Sequence, residues 1–361
     1  MYPALAVVQS LTRLCAEAGV QPDILWIGSV GGMEEALVKR AGLKIELISA
    51  AGLRGKNPVA ALKGLLALSR GYGQSKRLIQ QFQPDVLFIT GGYVGVPVTL
   101  AAKQMSVPII IYLPDFEPGL AVKFLVRFAD KVAVTTEETR RFFKPGLTVV
   151  TGYPVRPELC VEPVNDNKAT ARLKLDLLES LPTLLVFGGS RGARSINQAV
   201  ASQIEGYLDV CQVVHISGML DTEWVQARRA ELPPRLQARY HVFAYLHEEM
   251  TSALLAADLV ISRAGAGVMG EYPAAGLPSI LVPLPIAGGH QWQNAAYLTR
   301  HGAAVSIDNA NLNRDLQKTA TNLIKDAEKL QAMRKAAQRL AKPDAANRLA
   351  QAILEVKSNG N

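Results

Sequence analysis

Short runs of β-branched and aliphatic residues recur along this chain, each followed by a longer stretch with helical periodicity. Parallel strands cannot be joined by a tight turn and need a crossover, usually a helix. A chain that alternates in this way is therefore restricted to α/β architecture with parallel sheets. In the first half, strands are expected near Ile24–Ile27, Ile45–Ile48, Val86–Ile89, Ile109–Ile111, Val132–Val134 and Thr148–Thr151, with the longest helix from about Val59 to Gln81. Gly152-Tyr153-Pro154-Val155-Arg156-Pro157 and the residues to about Asn167 then read as a linker by their Pro, Gly and Asn content. The pattern restarts with strands near Thr183–Phe187, Val210–His215, His241–Phe243, Leu259–Ile261, Ile280–Val282 and Ala304–Ile307. Helices are expected over Leu316–Leu340 and Ala345–Lys357.

Two doubly wound lobes with a cleft between them follow from this order. The first lobe takes residues 1–155, completed by 343–361, and the second takes 156–342. The 361 residues carry a formal charge of +8, which favours anionic partners. Three widely spaced cysteines, Cys15, Cys160 and Cys211, argue against a disulfide framework or a zinc site and for a reducing compartment. No apolar run reaches the roughly 20 residues of a spanning helix.

The richest chemistry lies in Ser262–Asn294. Gly265-Ala266-Gly267 follows a strand and opens a helix, so backbone N–H groups and the helix dipole are available to an anion. Glu271 sits one turn further on, where a carboxylate accepts hydrogen bonds from sugar hydroxyls. His290 and Gln291 follow a Gly-rich loop, and Gln291 and Asn294 are spaced to share a helix face. Gly188-Gly189-Ser190 and its neighbours form a second strand–turn–helix start that matches neither the Walker nor the dinucleotide pattern. It still offers N–H groups and a hydroxyl to a diphosphate, with Arg191 or Arg194 adding charge. The competing reading is a tight turn and nothing more. Gly91-Gly92-Tyr93 is a similar turn in the first lobe, where sheet punctuation is the stronger reading from local sequence alone. Leucines at helical spacing with Arg54, Lys56, Lys63, Arg70, Lys76 and Arg77 make 53–77 a basic amphipathic segment suited to an anionic membrane, or a helix packed on its own sheet.

Taken together, Pro3-Ala4-Leu5-Ala6, Gly52-Leu53-Arg54-Gly55, Pro84-Asp85-Val86, Gly91-Gly92-Tyr93-Val94, Gly152-Tyr153-Pro154-Val155-Arg156, Gly188-Gly189-Ser190 with Gly192-Ala193, and Ala274-Ala275-Gly276-Leu277-Pro278 resemble the MurG family of peptidoglycan glycosyltransferases over nearly the whole length. The resemblance implies a two-lobed GT-B fold, a UDP-N-acetylglucosamine donor that is a substrate and not a cofactor, and lipid I as acceptor. No metal and no nucleic acid are implied. It places Glu271 on the ribose, Ser190 with Gly265 and Ala266 at the diphosphate, Arg156 on the nucleotide, and His290 and Gln291 at the sugar; with the acceptor in the first lobe, the Gly91, Gly92 and Tyr93 turn is the candidate for its pyrophosphate, as Arg191 is for added charge at the donor's. The 53–77 region would face the cytoplasmic side of the bacterial membrane, with the enzyme bound peripherally.

Three departures stand out. The family opens with a strand and a Gly-Gly-Thr-Gly-Gly-His loop ahead of the Tyr-Pro-Ala-Leu-Ala run that begins here at Tyr2, so a start upstream of Met1 is expected. Tyr112-Leu113-Pro114-Asp115 replaces the family's His-Glu-Gln-Asn, and Arg191 replaces a glutamine. With the family histidine missing, Asp115 or Glu117 becomes the candidate general base; the alternative is that they position substrate or cap the following helix. Beside an active lipid I glycosyltransferase, two other readings stay open: a diverged homologue that binds UDP-sugar or lipid without efficient turnover, and another GT-B enzyme such as a UDP-sugar epimerase.

Overall fold

In the computed structural model, residues 2–32, 34–50, 58–160, 164–189, 192–247, 249–285 and 289–358 are described. The chain divides into two compact units, Met1–Pro154 with Asp344–Asn361, and Val155–Pro343.

The first unit holds strands β1 (Leu25–Ser29), β2 (Lys44–Ile48), β3 (Leu87–Ile89), β4 (Ile109–Leu113), β5 (Lys131–Val134) and β6 (Thr148–Val150). All pairings are parallel, but they form two sheets, β1-β2 and β3-β4-β5-β6, rather than the single sheet expected. Among the described residues no strand bridges the free edges of β1 and β3. The period of two sets the layers of the larger sheet. Ile109, Ile111 and Leu113 join Val132, Val134 and Ile79 on one face. Ile110, Tyr112 and Ala133 meet Val7, Leu349, Ile353 and Val356 on the other. All five residues of β4 are buried, which explains why its sequence is a continuous apolar run rather than an alternation. The helix Ala345–Ser358 thus returns the end of the chain to the first unit.

The second unit is one six-stranded parallel sheet: β7 (Thr183–Phe187), β8 (Gln212–Ile216), β9 (Tyr240–Phe243), β10 (Leu259–Ser262), β11 (Ser279–Leu281) and β12 (Ala304–Ser306). Its order is β12-β11-β10-β7-β8-β9. The connections run outward one way from β7 and the other way from β10, which is the doubly wound arrangement with its switch point between those two strands. Leu184, Val186, Leu259, Ile261, Ile280 and Val282 face the helices Arg194–Ser202 and Leu312–Lys325 in one core. Each such fully buried aliphatic side chain contributes roughly 1.5–3 kcal/mol.

Two sequence expectations need correction here. The linker is shorter than read, because a helix begins at Val164. The helix expected over Leu316–Leu340 is two, Leu312–Lys325 and Ala327–Leu340. Asp326 leaves helical geometry between them, and its carboxylate accepts the Lys329 N–H as the cap of the second helix.

Candidate functional site

The switch point places two expected phosphate turns side by side. Phe187 at the end of β7 is in register with Ser262 at the end of β10, so Gly188-Gly189 and Arg263-Ala264-Gly265-Ala266 leave the sheet as neighbours at its carboxyl edge. Doubly wound sheets bind ligands in the crevice at this place. The first turn depends on glycine. Gly189 and Gly192 have φ of +93° and +75°, and a Cβ on Gly192 would come within 2.6 Å of the Ser217 carbonyl oxygen. The turn therefore packs against the loop after β8 and leads directly into the helix Arg194–Ser202. Ser190 and Arg191 lie outside the described residues.

Arg194 is not a free charge for a diphosphate. Its Nε and Nη2 both donate to Asp221 Oδ1, at 2.8 and 2.7 Å. Asn197 donates to the other Asp221 oxygen and to the Ser217 carbonyl, both at 2.8 Å. Its Oδ1 lies 3.0 Å from His215 Nε2, and His215 Nδ1 is 2.8 Å from the Tyr240 hydroxyl. Burial pushes the His215 imidazole down to about 3, against the pull of Asp221, so the ring is neutral at physiological pH. Together these contacts brace the turn from behind.

After β10 the backbone makes a 3-10 turn, Ala266–Met269, and a separate short helix, Glu271–Ala275. Gly270, at φ −134° and ψ −47°, interrupts the continuous helix expected, so Glu271 is the first residue of the second helix and not one turn into the first. Its carboxyl is largely enclosed. Burial raises its pKa above the ordinary carboxylate value, while the charge of Arg156 pulls it the other way. Arg156 itself donates through Nη1 to the His247 carbonyl and to Thr251 Oγ1, both at 3.3 Å. That ties it to the segment following β9. On the same segment Tyr245, 36% exposed, stands edge-on to the His247 ring with centroids 4.6 Å apart. The sequence reading missed this aromatic pair. Its only signal was a Tyr-x-His just past a strand end, at the carboxyl edge.

The helix His290–Arg300 follows Gly289, which has a left-handed φ of +72°. Gln291 and Asn294 have different tasks rather than a shared one. Gln291 Oε1 accepts the Leu284 N–H at 2.9 Å, whereas buried Asn294 donates to the Ala264 carbonyl at 3.1 Å and so anchors the turn after β10. His290 is half-buried, and among the described residues its Nδ1 has no hydrogen-bond partner.

In the first unit, Gly91 and Gly92 at φ +99° and +86° turn the chain from β3 into the helix Gly95–Gln104, leaving Tyr93 43% exposed. The adjacent strand β4 leads to Asp115 and Glu117 on the same edge of that sheet. Glu117 pairs with Lys123 at 3.2 Å. Phe116 between them is fully buried, with the Arg141 guanidinium 5.1 Å from its ring centre. The basic segment is a helix over Pro58–Phe82, with 51–57 outside the described residues. Gly64, Gly71, Ser75 and Ile79 are buried, while Leu66, Arg70 and Arg77 face solvent. Among the described residues no helix is long and apolar enough to cross a membrane.

A doubly wound parallel sheet with two glycine-bearing turns adjacent at its switch point has the form of a nucleotide-binding α/β unit. The glycosyltransferase family 28 N-terminal domain matches residues 1–134 and its C-terminal domain residues 183–349. The chain is 39% identical to the UDP-N-acetylglucosamine–N-acetylmuramyl-(pentapeptide) pyrophosphoryl-undecaprenol N-acetylglucosamine transferase of Roseiflexus sp. (strain RS-1), over 97% of this chain and 91% of that one. It is 36% identical to the enzyme of the same name from Listeria monocytogenes, over 99% and 96%. The crystal structure of Acinetobacter baumannii MurG aligns with a TM-score of 0.73 at 25% identity, covering 98% of this chain and 95% of that one. A Neisseria meningitidis UDP-N-acetylglucosamine 2-epimerase shares the fold at a TM-score of 0.67 and 12% identity, over 98% of each chain. The chain belongs to glycosyltransferase family 28, and within it to the MurG family.

Proposed function

We infer that this chain transfers N-acetylglucosamine from UDP-N-acetylglucosamine to the acceptor sugar of undecaprenyl-pyrophosphoryl-N-acetylmuramyl-pentapeptide, the step that turns lipid I into lipid II in peptidoglycan synthesis. The observation that carries the reading is the meeting of the Gly188–Ala193 and Arg263–Ala266 turns at the switch point of the second unit. In this reading the second unit takes the donor. The turn amides, with Ser190 and Arg191, hold the diphosphate, Glu271 accepts the ribose hydroxyls, Arg156 and Tyr245 flank the nucleoside, and His290 and Gln291 meet the sugar. The first unit takes the acceptor, with Gly91, Gly92 and Tyr93 at its pyrophosphate.

The transfer is a single inverting displacement. The acceptor hydroxyl oxygen bonds to the anomeric carbon, the bond from that carbon to the diphosphate breaks, and UDP departs with the electron pair. Negative charge grows on the diphosphate, so donors aimed there stabilise the transition state more than the ground state. A base takes the hydroxyl proton. Asp115 and Glu117, on the loop after β4, are the candidates, and Glu117 holds Lys123 at 3.2 Å. The exposed Leu66, Arg70 and Arg77 of the long helix support peripheral binding at an anionic cytoplasmic membrane surface.

One assay tests the whole reading: radiolabelled UDP-N-acetylglucosamine with a lipid I analogue in anionic or zwitterionic vesicles. The expected result is labelled disaccharide lipid, formed faster on anionic vesicles and less so as salt rises. Release of UDP with N-acetylmannosamine instead would establish an epimerase. Equal rates on both vesicle types would remove the membrane assignment alone.

A further inference from the structure

Arg141 lies in the 3-10 helix Glu137–Phe142, which follows the carboxyl end of β5. Its guanidinium rests against two aromatic rings, 5.1 Å from the centre of Phe116 and 4.9 Å from that of Phe142. The two rings meet edge to face, with centres 6.1 Å apart. Such contacts hold a guanidinium in place without neutralising it. The neighbouring cations are already matched: Lys123 pairs with Glu117 at 3.2 Å, and Arg140 with Glu137 at 2.8 Å. Arg141 is exposed, and among the described residues no carboxylate pairs with it. Its support is fixed from behind. The Thr135 hydroxyl donates to the Leu113 and Pro114 carbonyls at 3.1 and 3.0 Å, and the Thr139 hydroxyl to the Phe116 carbonyl at 3.1 Å. Both threonines are buried. The segment after β5 is thereby fastened to the loop after β4 that carries Asp115, Phe116 and Glu117. The sheet order gives this placement a direction. β3, β4 and β5 are successive neighbours, so the Gly91-Gly92 turn, the Asp115–Glu117 loop and the Arg141 segment leave one edge in that order. Adjacent strands are about 4.8 Å apart, and parallel sheets of this kind bind ligands at that edge. A muramyl acceptor presents its groups in the same order. Its pyrophosphate hangs from the anomeric carbon, while its peptide arm leaves the far side of the ring beside the attacking hydroxyl. A guanidinium one strand beyond the candidate bases therefore faces the peptide arm, whose anionic groups are carboxylates.

We propose that Arg141, held by Phe116 and Phe142, pairs with a peptide carboxylate of the acceptor and so sets which acceptors are preferred. The proposal rests on the acceptor reading of the first unit above and adds the residue that recognises the peptide. A planar guanidinium meets a carboxylate through two parallel N–H···O bonds, a fit that lysine does not reproduce. Phe116 and Phe142 are positioning residues, since they aim the guanidinium without touching the acceptor.

Two lipid I analogues test it, one with free peptide carboxylates and one with those groups capped as carboxamides, both keeping the pyrophosphate. Transfer of radiolabelled N-acetylglucosamine to each is measured. The wild type is expected to prefer the free acid by about tenfold in kcat/KM, with the preference residing in the acceptor KM. Arg141→Met brings that ratio close to one, and Arg141→Lys leaves it between the two. Phe142→Leu, which removes one of the two rings, lowers it by a smaller factor than Arg141→Met. If Arg141→Met does not fold, as judged by near-UV circular dichroism, the lysine and Phe142 variants carry the comparison. An equal loss on both analogues would assign Arg141 to the pyrophosphate or to the fold and overturns the proposal. A wild type that does not distinguish the analogues overturns it too. A wild type that transfers to neither overturns the acceptor reading itself, and that result is distinguishable because it needs no variant.

Discussion

At the scale of single residues, the site trades stability for chemistry, and Glu271 is the clearest instance. Its carboxyl is raised above its ordinary value of 4.5 by burial, with Arg156 opposing. A group raised in the folded state holds its proton more tightly there than in the unfolded chain. Its stabilising contribution is therefore complete below the unfolded pKa and is lost as pH rises through the folded one. The charged form of the carboxyl is thus a burden on the protein without ligand, tolerated if ribose hydroxyls supply its hydrogen bonds. Glu271→Gln should melt higher than wild type at pH 7.5, and the gap should close near pH 4, where both side chains are neutral. The same variant should bind UDP about tenfold more weakly, the scale of a hydrogen bond to a charged acceptor. Scanning calorimetry at both pH values and a UDP titration check both halves. A variant that melts lower at pH 7.5 would refute the assignment.

At the scale of elements, all twelve strands of the described residues overlap runs read from the sequence, although only some are buried throughout: β4 is enclosed along its whole length, whereas β2, Lys-Ile-Glu-Leu-Ile, alternates and is buried only at Ile48. The breaks were harder to read. Asp326 and Gly270 each interrupt what periodicity alone continues, the first by capping the next helix and the second at φ −134° and ψ −47°, outside helical geometry. The switch-point turns were legible through their glycines, whereas the hydrogen bonds that Arg263, just past the end of β10, donates to Ser195 Oγ and Asn309 Oδ1 join residues 68 and 46 positions apart. No local pattern reports a contact of that range. The same holds for Asp258, just before β10. It receives Lys168 and Arg172 from the helix Val164–Lys174, the Thr183 N–H at 2.8 Å, and Arg334 from the helix Ala327–Leu340 at 3.7 Å. The four ionised side chains are at least four-fifths enclosed. Removing the one acid leaves three confined cations, so Asp258→Ala should destabilise the second unit by about 3 kcal/mol. Urea denaturation followed by tryptophan fluorescence measures this, and a loss below about 1 kcal/mol would mean that solvent already screens the cluster.

At the scale of the whole molecule, two separately cored units share one chain, and the proposed donor site lies in the second. If UDP binds the native second unit and not its unfolded form, then at one hundred times its dissociation constant it should add about 2.7 kcal/mol to the stability of that unit. Amide exchange localises the effect. Backbone N–H groups that close on phosphate are held out of solvent, and the segments that brace them lose their local openings. Hydrogen-exchange mass spectrometry with saturating UDP should therefore slow exchange in peptides spanning 188–197, 263–272 and 284–294, all in the second unit. The strands β3 to β6 and the glycine turn at 91–92 should exchange as before, because UDP carries nothing of the acceptor. Protection centred on 91–93 and 115–117, with 188–197 unchanged, would reverse the assignment of donor and acceptor between the two units.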